Sequence, residues 1–174
     1  VHHLREFGLG KHRITDDRPY GGGAGMVMLV EPIDQTLTKL GYKKGLARER
    51  IILLSAKGNM YTQQSAQGWQ DLDRICIICG HYEGVDERVA QYLVDEEIRI
   101  GDYVLTGGEP AALIMIDSLV RLQPDVVGNE TSLQGESHEV PGQMGYPQYS
   151  RPAEYKGWKV PKVLLGGHHG QIEE

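Results

Sequence analysis

Little in this chain of 174 residues suits a membrane, a disulfide scaffold or a tight metal centre. No apolar run approaches the ~18 residues that a transmembrane helix needs, and no secretory signal is recognisable in the residues present. The chain begins at Val1 rather than Met, which fits a fragment or a processed product. Cysteine is confined to Cys76 and Cys79. A C-x-x-C spacing can serve redox or metal chemistry, but here it lies in Arg-Ile-Cys-Ile-Ile-Cys, which reads as a strand. Positions three apart on a strand face opposite ways, so both read as small buried apolar residues in a reducing compartment. Neither H-E-x-x-H nor a spaced Cys/His cluster occurs. The pairs His2-His3 and His168-His169 are adjacent residues, whose side chains diverge. The Walker spacing is missing as well. The glycine run at 21–25 precedes an apolar strand, whereas a dinucleotide-binding loop follows one and opens a helix, which counts against an NAD site. That run is either a flexible turn or, given its flank Asp16-Asp17-Arg18-Pro19-Tyr20, a binding loop.

Positive charge is also scarce overall. The net charge of −6 argues against indiscriminate nucleic-acid binding. The sum hides an asymmetry: residues 1–60 hold ten Lys/Arg against six Asp/Glu, and residues 83–102 hold seven acids against two Arg. A basic surface near Lys11, Arg13, Arg18, Lys43, Lys44 and Arg48 remains open beside the plainer reading, a mixed solvated surface.

Short apolar runs are what the chain does have, at 26–30, 51–55, 75–79 and 98–105. They are near-continuous rather than alternating, which suits strands buried on both faces of a parallel sheet. Helical spacing fills the gaps. Residues 32–42 place Ile33, Leu37 and Leu40 on one face, with Gly41 near the end. A weaker polar helix is expected over 62–72. Residues 85–94 put Val85, Val89, Tyr92 and Leu93 on a stripe, and 109–122 predict a helix with Leu113, Ile116, Leu119 and Val120 inward. The alternation predicts a single α/β domain over 1–174, a mostly parallel sheet flanked by helices with right-handed crossovers. The pattern then stops. A long loop, about 124–159, shows no helix or strand signal, and a connection of that length is functional or disordered. A last strand is expected at 163–165 and the first turns of a helix at 168–174.

Two strand-to-helix corners stand out. One reads Ile100-Gly101-Asp102-Tyr103-Val104-Leu105-Thr106-Gly107-Gly108-Glu109; the other reads Ile77-Ile78-Cys79-Gly80-His81-Tyr82-Glu83-Gly84. Glycines at such corners let a ligand approach bare main chain, and paired corners predict a small-molecule pocket at one sheet edge.

These residues, with Asp16-Asp17-Arg18-Pro19-Tyr20-Gly21-Gly22-Gly23, the run from Gly80 to Arg88, Tyr149-Ser150-Arg151-Pro152 and Val160-Pro161-Lys162-Val163-Leu164-Leu165, closely resemble the bacterial tRNA (guanine-N1)-methyltransferase family of the knotted SPOUT superfamily. The resemblance runs in one order along the whole chain. It implies a deep C-terminal trefoil knot (SPOUT-like), S-adenosylmethionine (SAM) as methyl donor, a tRNA substrate methylated at N1 of guanine 37, an antiparallel homodimer, a cytoplasmic location and a possible role for Mg²⁺. It also implies a strand before Val1 and a C-terminal tRNA-binding domain, and both are expected to be missing from this chain. The implied cofactor-binding residues are Leu54, Ser55, Gly80, Tyr82, Glu83, Ile100, Gly101, Asp102, Tyr103, Val104, Leu105, Gly107 and Gly108. Backbone at strand ends can read an adenine edge, and Glu83 (with Asp86 as a weaker match) would meet the methionine end. Helix N-terminal acids favoured by the dipole would look the same.

Guanine N1 carries a proton and is a poor nucleophile until that proton leaves. The reaction therefore wants a base near N1 and a donor near O6. The resemblance puts these roles on Glu136 and Arg121. Without it, Arg121 reads as a cation near a helix C-terminus and Glu136 as a solvated loop acid. Two departures stand out. Glu136 replaces an aspartate and so carries one more methylene, and Ala56 stands where the family commonly has proline. The Glu136 change and the expected missing terminal segments leave a second expectation beside the enzyme: a catalytically weak SAM-binding dimer that relies on a fused or separate tRNA-binding partner.

Overall fold

The computed structural model describes residues 1–128 and 135–166. The chain divides into two compact units, Val1–Gln134 and Gly135–Glu174. The first begins with a 3-10 turn at Leu4–Phe7, then β1 (Asp16–Asp17) and β2 (Val27–Met28), which pair antiparallel. There follow α1 (Val30–Leu40), β3 (Glu49–Met60), α2 (Gln63–Trp69), β4 (Arg74–Cys79), a π-helical turn at Val89–Leu93, β5 (Glu96–Arg99) and α3 (Glu109–Val120). The main sheet has the order β4-β3-β5, with both pairs parallel.

The central strand explains the architecture. Side chains alternate along a strand, and in β3 both sets are apolar. Ile51 and Leu53 pack with Ile33 and Leu37 of α1 and with Val89 and Val94. Ile52 and Leu54 pack with Ala66 and Trp69 of α2, Ile98 of β5, and Ala111, Ala112, Met115 and Leu119 of α3. Each of the Ile, Leu, Val and Met side chains fully removed from water contributes about 1.5–3 kcal/mol. The two cysteines follow the alternation onto opposite clusters, Cys76 with the α1 side and Cys79 with the α3 side. Helix α1 ends at a left-handed Gly41, whose N–H donates to the carbonyls of Leu37 and Thr38. The expected helix over 62–72 is shorter. It starts from a capping box in which the Thr62 and Ser65 side chains each accept from the other's backbone N–H.

Four expectations need correction in this unit. The strand expected over 98–105 stops at Arg99. The chain turns because Arg99 reaches forward to Asp102, Nε to Oδ1 2.8 Å, and because Gly101 admits the Tyr103 ring where a Cβ would stand, 2.2 Å from Cε1. The strand expected over 51–55 instead runs from Glu49 to Met60, with a register break between Leu54 and Asn59, both opposite Ile98. The helix expected over 85–94 starts late, because Val85 is held in a bridge to Met28. Tyr92 faces solvent and Val89 alone of the short turn is buried. Finally, α3 turns Ala111, Ala112, Met115 and Leu119 inward. Of the expected stripe only Leu119 is buried. Leu113 is 67% exposed, and Ile116 and Val120 are about half-exposed. A helix apolar on nearly every side carries little contrast to orient it, and the small alanines fit the closest approach to the sheet.

In the second unit, β6 (Glu154–Tyr155) and β7 (Trp158–Lys159) form a hairpin inside the stretch expected to lack regular structure. Its two-residue turn has positive φ at both Lys156 and Gly157, the geometry of tight hairpins. The strand expected at 163–165 is instead one helical turn, α4 (Lys162–Leu165), following Pro161. The helix expected at 168–174 falls outside the described residues.

Candidate cofactor-binding site

Parallel strands end together, and here their C-terminal ends open on a cavity of about 300 Å³, within the range of small-ligand clefts, about 300–1,000 Å³. It is formed entirely from the first unit. Its walls are the end of β3, the loop after β4, the bends after β5 and the start of α3. Leu54, Ser55, Gly80, Tyr82, Glu83, Ile100, Gly101, Tyr103, Val104, Leu105, Gly107 and Gly108 all line it. Asp102 does not. Its carboxylate turns back to Arg99, and Arg99 itself reaches the cavity wall while donating to the Gly58 carbonyl.

The two glycine corners are joined to each other. The Gly108 N–H donates to the Gly80 carbonyl at 3.0 Å, and His81 bridges Gly107. A Cβ on Gly108 would stand 2.7 Å from Cys79 Cα, so only glycine lets α3 come this close to β4. Side chains add a second tie: His81 Nε2 lies 2.7 Å from Glu109 Oε1. That hydrogen bond, with help from the backbone, holds the Glu109 carboxyl below its usual range. On another wall Lys57 pairs with Glu87, which raises the lysine pKa.

The glycine run before β2 borders this site. Gly25 abuts Glu83, whose Cγ would lie 2.3 Å from an added Cβ, and the Glu83 N–H donates to the Met26 carbonyl at 3.0 Å. Asp16 hydrogen-bonds Tyr82 and pushes its phenol pKa up. Tyr82 itself adopts φ +60°, unusual for a bulky residue and suggestive of a shaped loop. Sequence reasoning missed His81, Lys57, Glu87 and Arg99 as wall residues. A charge beside a glycine corner was their one visible signal.

Arg121 is elsewhere. It caps α3 at the end away from the cavity, about 20 Å along the axis from Gly108 at 1.5 Å per residue. Glu136 belongs to the second unit, where its carbonyl accepts from the Glu139 N–H at 3.2 Å. Among the described residues no group of three or more His, Cys, Asp or Glu could hold a metal ion, and no helix is long and apolar enough to cross a membrane.

A parallel α/β domain whose strand ends open on a largely apolar cavity has the layout of domains that bind small ligands beyond the carboxyl ends of their strands. The sequence profile of tRNA (guanine-1)-methyltransferase TrmD matches residues 1–174, and the chain belongs to that family. It is similar to the tRNA (guanine-N(1)-)-methyltransferases of Halalkalibacterium halodurans, 49% identical over 173 residues, and Brevibacillus brevis, 50% identical over 173. Each alignment covers 99% of this chain and 70% of the relative. The Anoxybacillus flavithermus enzyme of the same name is 51% identical over 171 residues, covering 98% of this chain and 69% of the relative. Membership of a methyltransferase family implies a SAM donor in general. The cavity fits one: main-chain groups of both glycine corners, apolar flanks at Leu54, Val104 and Leu105, and Glu83 among its acids for a cationic end.

Proposed function

We propose that this chain methylates N1 of guanine 37 of tRNA, just 3′ of the anticodon, with SAM as donor. The observation that carries the reading is the convergence of both glycine corners on one cavity. Bound SAM would supply an activated methyl group. The residues of this chain do the rest. Leu54, Ser55 and the main chain from Ile100 to Leu105 hold the adenosine, Gly107 and Gly108 close the wall, and Glu83 faces the methionine end. Glu136 takes the N1 proton, and the Arg121 guanidinium stabilises the charge that builds on O6. Fixed geometry then favours in-line attack.

Two features support a homodimer. The outward stripe of α3, with Leu113, Ile116 and Val120, is an apolar face on a helix that already buries its other side. Arg121 also lies too far along α3 to act at its own cavity, so it serves the cavity of a second copy. The trefoil knot enters this proposal from the family resemblance alone. Work on tRNA and the two unpaired thiols fit a cytoplasmic setting.

The test is transfer of labelled methyl to a tRNA transcript with guanine 3′ of the anticodon, against one with adenine there. Transfer to the first alone is expected, and chelation in the same assay reads any Mg²⁺ requirement. Arg121→Ala and the cavity variant Gly101→Val should each be inactive, yet mixed dimers should recover activity, since one site then holds a native cavity and a native arginine. No transfer by an intact, SAM-binding dimer would favour the catalytically weak module. No recovery in confirmed mixed dimers would overturn the shared site.

A further inference from the structure

We propose that the β6–β7 hairpin is a stacking platform for unpaired bases of the RNA substrate. The inference rests on the methyltransferase reading for the identity of the polynucleotide; its geometry is independent of the cofactor cavity.

Tyr155 and Trp158 are register partners across the hairpin. Residues directly opposite in an antiparallel pair project from the same face, so both rings stand on one side. Their centroids are 5.9 Å apart at 60°, and the side chains are 55% and 72% exposed. The tight turn sets Lys156 at the tip, its Nζ 5.4 Å from the Tyr155 ring centroid. Residues 151–162 carry Arg151, Lys156, Lys159 and Lys162 against Glu154 alone, a local cationic excess in a chain of net charge −6. The Lys159–Glu154 pair is long, 3.7 Å, and exposed, so it neutralises little of that field.

Open aromatic faces among cations match what single-stranded nucleic acid offers: π-faces for stacking and phosphates for charge. A paired stem offers phosphates but hides its base faces, so the rings would go unused there. A protein that covered the rings with apolar side chains would leave four cations without a counterpart. The unpaired bases of a tRNA loop satisfy both features, and the proposed target guanine sits in such a loop.

The chain holds two tryptophans, Trp69 at 7% exposed and Trp158 at 72%, so the emission of Trp158 can be read against a buried companion. The full chain is titrated with single-stranded RNA of anticodon-loop sequence and with a fully paired RNA duplex. Quenching by the single strand alone is expected. Trp158→Ala should weaken its binding about tenfold, while Trp158→Phe, which keeps a ring, should restore most of the affinity. Lys156→Ala with Lys159→Ala should reduce the slope of log K against log salt by about 1.4. Calorimetric SAM affinity, unchanged in all variants, shows that folding is intact. Equal affinity in Trp158→Ala, equal quenching by the duplex, or a Trp158 signal that follows protein concentration without RNA would overturn the proposal, the last pointing to a second copy on this face. Methyl transfer separates the two readings. If wild type and Trp158→Ala transfer with the same KM, this inference alone falls; if neither transfers while wild type is still quenched by RNA, the methyltransferase reading falls and the platform stands.

Discussion

Replacing Gly108 with alanine tests whether the approach of α3 to β4 sets the cavity. Gly108 has φ −79° and ψ −12°, ordinary right-handed backbone that alanine adopts without strain. Chain entropy alone would favour the change by about 0.4–1 kcal/mol. Sterics oppose it. The new Cβ would lie 2.7 Å from Cys79 Cα and 3.1 Å from both Cys79 Cβ and Gly80 N. Carbon atoms rest at about 3.5–4.0 Å, so helix or strand must yield by roughly 1 Å. No flexible side-chain tip is there to swing aside, and overpacking of this kind costs about 1–3 kcal/mol. The net effect is a destabilisation of about 1–2 kcal/mol. A shift of about 1 Å where α3 walls the cavity is enough to cost roughly a hundredfold in rate.

Gly68 is the control. It lies inside α2 with nothing within 4 Å of an added Cβ, so Gly68→Ala should stabilise by about 0.5–1 kcal/mol. Urea denaturation gives the stability of both variants, and calorimetry gives their SAM affinity. Opposite signs in stability, with weaker SAM binding for Gly108→Ala alone, are expected. Wild-type values for Gly108→Ala, or shifts of the same sign at both positions, would refute the claim that helix–strand proximity shapes this site.

Other consequences are simpler to test. Glu109 has a lowered pKa through His81, so its ionised form is favoured on folding. The stabilisation is present above the unfolded carboxylate range and is lost as pH falls through the lower folded value. The stability gap between wild type and Glu109→Gln should therefore close below about pH 4.5 in a series of denaturation curves; it should be small, because the side chain is 59% exposed. Burial pushes the Cys76 thiol up to about 11 and Cys79 upward too, so both should resist iodoacetamide at neutral pH until the chain unfolds; rapid labelling of native protein would contradict this. Arg99→Ala frees both the Gly58 carbonyl and the Asp102 carboxylate. Calorimetry should show weaker SAM binding with little change in the denaturation midpoint, whereas a large loss of stability with unchanged binding would make Arg99 merely structural.

The sequence was legible where one physical preference dominates. In β3 the two alternating residue sets are both apolar, so a strand buried on both faces is almost the only solution. The glycine corners were legible because glycine where a strand meets a helix has few other uses. Legibility failed where a neighbour decides. Ile98 to Leu105 reads as one apolar strand, and nothing local reveals that Arg99 will reach for Asp102 and fold the chain at Gly101. Val85 belongs to a helical stripe until Met28 claims it. The hairpin at Lys156-Gly157 lacks the Asn-Gly signal that marks such turns. The roles of Arg121 and Glu136 came from resemblance alone, since neither position has a local pattern that separates it from an ordinary surface charge.

The misjudged face of α3 has the largest consequence. A helix that is apolar on nearly all sides belongs in an interior, yet this one buries its small residues and leaves Leu113, Ile116 and Val120 toward solvent. Its two ends also have separate tasks in the proposed reaction, with Gly108 at the cavity and Arg121 about 20 Å away. One copy of a straight helix cannot bring both ends to one reacting centre. Two copies packed antiparallel through that stripe can, because a two-fold axis near the middle of each helix sets the arginine end of one beside the cavity end of the other. In the proposed dimer the pattern that misled the periodicity argument and the distance that separates Arg121 from its own cavity would have a common explanation: the apolar stripe of α3 would be the surface that completes the site.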